Sequence, residues 1–126
     1  MIELTRAEEQ VMQILWKLKK GFVKDIIEHF EEPKPAYNTI STIIRILEKK
    51  GVVDHKEYGK TFEYFPIISK KDYTKKIYNN FVKNYFGSSF KKMFSFFSQE
   101  EDISVKELQD LQELMQKMIE EKNKSN

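Results

Sequence analysis

Residues 38–51 read NTISTIIRILEKKG, and this stretch decides the fold of the chain. Read as a helix, it places its large aliphatic residues on one side, at the spacing of a buried stripe: Ile40, Ile43, Ile44 and Leu47. Gly51 stands where helices often end with a left-handed residue, and Lys49 and Lys50 lie beside the negative end of the helix dipole. The stretch therefore predicts an amphipathic helix that starts near Ala36 and ends at Gly51.

The opposite side of this helix carries short hydrogen-bonding groups and two cations. Such a face can approach another surface closely, and base edges in the DNA major groove offer partners for Asn, Thr and Arg. If the face reads DNA, four residues contact base edges: Asn38, Ser41, Thr42 and Arg45. Four residues contact phosphates and fix the register: Thr39, Lys49, Tyr58 and Lys60. An ordinary solvated helix face is the alternative interpretation.

The segments on either side predict a winged helix-turn-helix. Residues 5–8, Thr-Arg-Ala-Glu, form a capping box that begins the first helix, and a short second helix covers about residues 23–30. After the third helix, two β-prone segments, 52–57 and 61–65, surround a tight turn with Lys60 at its tip. A hairpin in this position, directly after the recognition helix, is the wing of a winged helix.

The pattern of residues after the hairpin predicts a helical region through which two copies of the chain associate. Aromatic residues recur at helical spacing from Tyr73 to Phe97, and this segment contains nine of the seventeen aromatics. A region of roughly 55 residues is too short to bury so many aromatics alone, whereas a two-fold dimer makes one apolar patch its own partner. The expected dimer contacts are Tyr73, Ile77, Phe81, Tyr85, Phe90, Phe94, Leu108, Leu111 and Met115. The expected fold is thus mostly α with a small β-hairpin: a winged-helix DNA-binding domain at residues 1–69 and a helical dimerisation region at residues 70–126.

The charge of the chain is low overall but uneven. The net charge is +2 and the pI is near 8.6, so composition alone does not indicate nucleic-acid binding. Residues 70–92 contain seven Lys and one Asp, which gives +6, while residues 99–121 contain two Lys and eight acids, which gives −6. These blocks either attract one another across a dimer or form solvated faces.

Several classes of protein are disfavoured by what the sequence lacks. Without cysteine there is no disulfide and no thiol-ligated metal, which fits a cytoplasmic protein. We expect no signal peptide, because the N-terminus has no basic segment followed by an apolar run. We expect no membrane insertion, because no window approaches the roughly eighteen consecutive apolar residues of a membrane span. The two histidines, His29 and His55, have no catalytic partner motif, and the acids at residues 100–102 are typical of a solvated helix approach. We therefore expect no enzyme, no cofactor and no metal site.

Five short motifs are spread over nearly the whole chain. They are LTRAE at residues 4–8, VMQILW at 11–16, NTISTII at 38–44, KKG at 49–51 and YFP at 64–66. In this order they resemble the penicillinase repressor family, the BlaI/MecI/CopY group of winged-helix repressors. The resemblance implies that the N-terminal part binds palindromic operator DNA and that the C-terminal helices form a homodimer. It places Asn38, Thr39, Ser41 and Thr42 at groove-facing positions and Lys60 at the basic wing position.

The resemblance also implies a target and a mechanism of release. Such repressors control β-lactamase-type resistance genes and often a sensor gene, and a membrane sensor-protease system causes their cleavage in the dimerisation part. Alignment on residues 101–104 puts the cleaved bond between Phe96 and Phe97, although the asparagine that the family often has before this bond is absent. The other interpretation is that both phenylalanines are dimer core. The family commonly has arginine where this chain has Ile46, and Arg45 is its neighbour.

One function from a different class remains open. A winged helix can serve as a surface for protein assembly without reading DNA sequence, and the aromatic half would then hold a protein other than a second copy. The mild overall basicity of the chain is compatible with this alternative.

Overall fold

The computed structural model describes residues 3–125, and these form six helices and one antiparallel hairpin. In chain order the elements are α1 (Arg6–Leu18), α2 (Val23–Glu28), α3 (Tyr37–Lys49), β1 (Val53–Tyr58), β2 (Thr61–Pro66), α4 (Lys70–Phe86), α5 (Phe90–Glu100) and α6 (Val105–Ser125). The predicted fold class, mostly helical with a small hairpin after the third helix, is confirmed. The chain divides into two compact units, and the division falls inside α4, between Ile77 and Tyr78.

The core of the first unit draws on every element from α1 to the hairpin. Its members are buried apolar side chains: Val11, Met12, Leu15, Val23, Ile26, Ile40, Ile44, Leu47, Val52, Val53 and Tyr64. The helical periodicity of α1 and α3 accounts for most of this set, because residues three and four apart share a helix face. With its apolar side buried, α3 presents only the remaining face to solvent.

Two hydrogen bonds reverse the chain at the end of α3. The amide of Gly51 donates to the carbonyl of Glu48 at 3.0 Å, and the amide of Val52 donates to the carbonyl of Leu47 at 3.2 Å. Gly51 has a φ of 81°, which a residue with a side chain rarely adopts. This is the Schellman arrangement, with its usual apolar contact, since Leu47 and Val52 are both fully buried. The reversal delivers the chain directly into β1.

The hairpin has a two-residue loop and is attached to the segment before α2. Tyr58 pairs with Thr61, so the loop consists of Gly59 and Lys60, and Gly59 has the positive φ of 61° that a tight hairpin turn needs. Gly21 and Tyr64 exchange two backbone hydrogen bonds, of 2.9 and 2.8 Å. The wing is therefore tied to the helical part at a second point.

The start of α4 packs on α1 within the first unit. The Trp16 indole donates to the carbonyl of Ile68 at 2.9 Å, and the Trp16 and Tyr73 rings lie 5.5 Å apart. The Tyr73 hydroxyl donates to Glu9 at 3.2 Å. Burial and the negative charge of Glu9 raise the pKa of Tyr73 to about 12. Tyr73 is only 5 % exposed. This protomer therefore already covers most of the Tyr73 ring, and the contact of Tyr73 with a second copy stays a prediction.

The second unit is an aromatic cluster followed by an exposed helix. The rings of α4 and α5 meet at Phe81 and Phe97, 6.1 Å apart, and at Phe86 and Phe96, 5.7 Å apart. No residue of α6 is buried among those described. One side of α6 is apolar and open to solvent: Leu108, Leu114, Met115, Met118 and Ile119. Within residues 3–125, no helix has both the length and the apolar character needed to cross a membrane.

The start of α1 and the end of α3 are joined by a buried carboxylate. Thr5 and Glu8 form the predicted capping box, with bonds of 3.0 and 3.2 Å between each side chain and the other residue's amide. The Lys50 ammonium also donates to Glu8, at 2.6 Å. Burial alone would raise the pKa of Glu8, but the hydrogen bonds from Lys50 and Thr5 outweigh burial and hold it below its ordinary value of 4.5.

We expect Glu8→Gln to lower the free energy of unfolding by about 1–3 kcal/mol near neutral pH. Because the folded-state pKa is depressed, the stabilisation is present above pH 4.5 and is lost as pH falls through the folded value. Urea unfolding from about pH 7 towards pH 3 measures this, with Glu3→Gln at an exposed position as control. A Glu8→Gln deficit that stays constant over this range would contradict the assignment.

Candidate nucleic-acid interface

The outward face of α3 and strand β2 of the wing border a cleft of about 160 Å³. Its lining combines cations, hydroxyls and aromatic rings: Val23, Tyr37, Ser41, Arg45, Lys60, Thr61, Phe62 and Tyr64. Three of the residues predicted to contact DNA, Ser41, Arg45 and Lys60, thus lie around one concave surface. The fold brings them together because the reversal after α3 lays the wing along that helix.

The structure changes the role expected for Ser41. The sequence predicts an outward side chain, but Ser41 is only 8 % exposed. It lies on the flank of α3 that faces the wing, where Phe62 and Tyr64 line the same cleft. Its hydroxyl accepts a hydrogen bond of 3.2 Å from the Arg45 guanidinium, one turn further along the helix. Ser41 is therefore placed to orient Arg45, and its own contact with a base edge stays a prediction.

The other predicted contacts on α3 are exposed. Asn38, Thr42, Arg45 and Lys49 all have exposed side chains, and their spacing puts them on one face over three helical turns. Thr39 is exposed as well, in the first turn of α3. This face carries donors, acceptors and cations with no large apolar group among these five residues.

Tyr58 lies on the flank of the wing that faces the start of α2. Its ring meets Phe22 edge-on at 6.0 Å, and the Lys56 ammonium lies 5.4 Å from the ring centroid. The side chain remains 46 % exposed, so the hydroxyl is open to solvent beside the wing loop. Tyr58 thus lies away from the cleft that holds Arg45, while Lys60 lies in it.

Two exposed aromatic residues at this surface were not among the predicted contacts. Tyr37 opens α3 and is 59 % exposed, and Phe62 of β2 is 38 % exposed. Both line the cleft beside Arg45 and a neighbouring depression of about 300 Å³ that also contains Lys24. Strand alternation predicts the face that Phe62 occupies, because Phe62 stands two residues before the buried Tyr64 and shares its face. Tyr37 could have been found from its position immediately before Asn38.

The base of the wing combines the carboxylate of Glu48 with the rings of His55, Phe62 and Tyr64. The His55 ring stacks on Phe62 at 4.3 Å, and its Nδ1 lies 2.9 Å from the Glu48 carboxylate. Burial raises the pKa of the Tyr64 hydroxyl, and the negative charge of Glu48 adds to the shift, so this hydroxyl stays neutral. His55 is therefore turned towards α3, whereas Arg45, Lys49 and Lys60 supply the outward positive charge.

Comparison with known proteins identifies the family of this chain. The model of the penicillinase repressor family matches residues 4–117. The methicillin resistance regulatory protein MecI of Staphylococcus aureus (strain N315) is 32% identical over 116 residues, which cover 91% of this chain and 94% of MecI. The penicillinase repressor of Bacillus licheniformis is 25% identical over 115 residues, 90% of each chain.

Among solved structures, the solution structure of the DNA binding domain of the repressor BlaI matches with 30% identity and a TM-score of 0.49. The match covers 56% of this chain and 88% of that domain. The family match spans most of both structural units, from Leu4 to Lys117, and includes all five motifs that suggested the resemblance. The chain belongs to the penicillinase repressor family.

Proposed function

We propose that the protein is a homodimeric repressor that binds palindromic operator DNA and controls resistance genes of the β-lactamase type together with a sensor gene. Residues 1–69 bind DNA and residues 70–126 dimerise. The observation that carries the proposal is the exposed polar face of α3 beside a wing whose tip lysine, Lys60, shares a cleft with Arg45. A repressor of this family is not an enzyme, in agreement with the sequence, and it acts in the cytoplasm, where operator DNA lies.

Arg45 is the principal base-reading residue in this proposal. A guanidinium gives two parallel hydrogen bonds to guanine, and the major groove is wide enough to admit a helix. The bond to Ser41 restricts the Arg45 side chain before DNA arrives, so less conformational entropy is lost on binding. Asn38 and Thr42 flank Arg45 on the exposed face and read neighbouring bases.

Phosphate contacts fix the position of α3 in the groove. Lys49 in the last turn of α3 and Lys60 at the wing tip bind the backbone on two sides of Arg45, and Thr39 and Tyr58 add hydroxyl donors. Tyr37 and Phe62 extend the surface with exposed rings, which suit contact with thymine methyl groups. These contacts were absent from the sequence prediction and enlarge the proposed footprint.

Dimerisation explains the apolar surface of the second unit. Met115 and Ile119 are about half exposed on α6, and Tyr85 of α4 is 73 % exposed. A two-fold dimer would cover such residues with their own copies. The proposed contacts are Ile77, Phe81, Tyr85, Phe90, Phe94, Leu108, Leu111 and Met115. Two copies related in this way present two α3 helices to the two half-sites of a palindrome.

Release of the operator is proposed to follow cleavage between Phe96 and Phe97. Both residues are in α5 and are 48 % and 38 % exposed. A protease acts on extended chain, so α5 must unwind locally before the bond can be cut. Cleavage here would remove α6 and its apolar side from the DNA-binding part, and a membrane sensor-protease system is the proposed agent.

We expect DNA from the protein's own promoter region to bind about a thousandfold more tightly than random DNA of equal length. Affinity for both should fall steeply with salt, because each neutralised phosphate releases counterions. Fluorescence anisotropy at two salt concentrations, with a footprint of the bound promoter, measures this. Equal affinity for the two DNAs would instead support the protein-interaction module.

We expect Arg45→Ala to weaken binding to promoter DNA by about 1–3 kcal/mol and to leave random-DNA binding nearly unchanged, because a base contact is lost. Ser41→Ala should weaken promoter binding by less, in the same direction. Arg6→Ala is the matched control, since Arg6 is the only other arginine and is exposed at the start of α1. Equal losses on both DNAs would make Arg45 a phosphate contact.

We expect the protein to sediment as a dimer and Met115→Glu to shift it to monomer. Met115 is half exposed on its own chain, so the substitution charges the interface without disturbing a buried core. Gln109→Glu introduces the same charge on the polar side of α6 and should leave the dimer intact. Analytical ultracentrifugation measures this, and a monomeric wild-type protein would contradict the dimer.

A further inference from the structure

The base of the wing holds a cluster of side chains that the proposed DNA contacts do not use. A carboxylate oxygen of Glu48, one of Asp54 and a ring nitrogen of His55 all lie within 4.8 Å of one another. Within this cluster, Glu48 Oε1 and His55 Nδ1 lie 2.9 Å apart. Two carboxylates and one imidazole are a donor set that Zn²⁺ accepts in proteins.

The chain reversal builds this cluster from two elements. Glu48 is in the last turn of α3, and the bonds at Gly51 and Val52 lead β1 back past it. His55 lies on the inner face of β1, opposite the buried Tyr64. Asp54 belongs by alternation to the outer face, but its carboxylate accepts a hydrogen bond of 2.7 Å from the amide of the next residue, His55. The sequence predicts no metal site because these residues are separated by the reversal.

The imidazole of His55 is held in one orientation. It stacks on Phe62 with an interplanar angle of 17°, which points Nδ1 at Glu48. Its other nitrogen, Nε2, lies 4.0 Å from a carboxylate oxygen of Glu57. A histidine that binds a metal through one nitrogen commonly donates the other N–H to a carboxylate. At 4.0 Å this contact is longer than a hydrogen bond, so Glu57 becomes the outer partner of a liganding His55 only after a small movement of its exposed side chain.

We propose that Glu48, Asp54 and His55 bind one divalent transition-metal ion of the zinc class. Zn–N and Zn–O bonds of about 2.0–2.2 Å put two donors of one ion about 3–3.5 Å apart. The Glu48–His55 pair already lies close to that separation, and rotation of the exposed Asp54 side chain brings in the third donor. Water completes the coordination sphere.

The charged side chains around the cluster determine how tightly it holds an ion. Arg45 and Lys49 line a depression with Glu48 and His55, and their positive charges oppose a cation. The ion is therefore held reversibly and a chelator removes it. When bound, it joins the end of α3 to the first strand of the wing. The site itself does not depend on the proposed DNA binding.

Titration calorimetry of the full chain with Zn²⁺ tests the site. We expect about one ion per chain and at least a tenfold loss of affinity in both His55→Gln and Glu48→Gln. The matched control is His29→Gln, which should bind as the wild type does. His29 is the only other histidine of the chain, is exposed, and contacts the backbone carbonyl of Asp25. Since the chain has no cysteine, no thiolate contributes to the signal.

A second measurement needs no variant. Proton NMR of the two imidazole rings of the wild-type protein should show that Zn²⁺ shifts the His55 signals and leaves those of His29 in place. The proposal is overturned if the wild type takes up no Zn²⁺, if His29→Gln abolishes binding, or if the His29 ring alone responds. In each of these cases the Glu48–His55 contact is a hydrogen-bonded pair only. Circular dichroism of each variant checks that it is folded.

Discussion

The reversal of the chain after α3 is the constraint on which the rest of the first unit depends. Two amide hydrogen bonds, from Gly51 and Val52, close the helix and bury Val52 against Leu47. Because only a residue tolerant of positive φ can stand at position 51, this geometry is set locally. It decides that β1 runs back along α3, and so it creates both the cleft at Arg45 and the donor cluster at Glu48.

Two further contacts attach α1 to the end of α3 and the segment before α2 to the wing. Glu8 accepts hydrogen bonds from the Thr5 amide and from Lys50, so one buried carboxylate caps α1 and holds the last turn of α3. The bridge between Gly21 and Tyr64 ties the wing to the segment before α2. Helix α3 is thus held at its end, on its buried side and along one flank, and among residues 3–125 its polar face stays exposed.

The sequence alone predicts the structural features that depend on helical periodicity and on the chemistry of neighbouring residues. The capping box at Thr5, the stripe of α3, the glycine after it and the hairpin could all be predicted because each depends on neighbouring residues. The burial of Ser41 and Tyr73 was not predicted, because it depends on distant parts of the chain. Phe62 and Tyr64 line the cleft that holds Ser41, and Trp16 packs on Tyr73. A helical wheel shows the residues of one helix only, so it contains none of these packing partners.

This dependence on distant residues also explains why the sequence does not predict a metal site at the base of the wing. Glu48 and His55 are close only because the reversal brings a helix end and a strand together, and no spacing rule for metal ligands covers that distance along the chain. The two proposed uses of this surface are adjacent, because Arg45 and Lys49 line the same depression as Glu48 and His55. His55 and Glu48 face each other between α3 and β1, and Arg45 reaches outward from Ser41. An ion at the wing base would join the end of α3 to β1 and so stiffen the frame that presents Arg45.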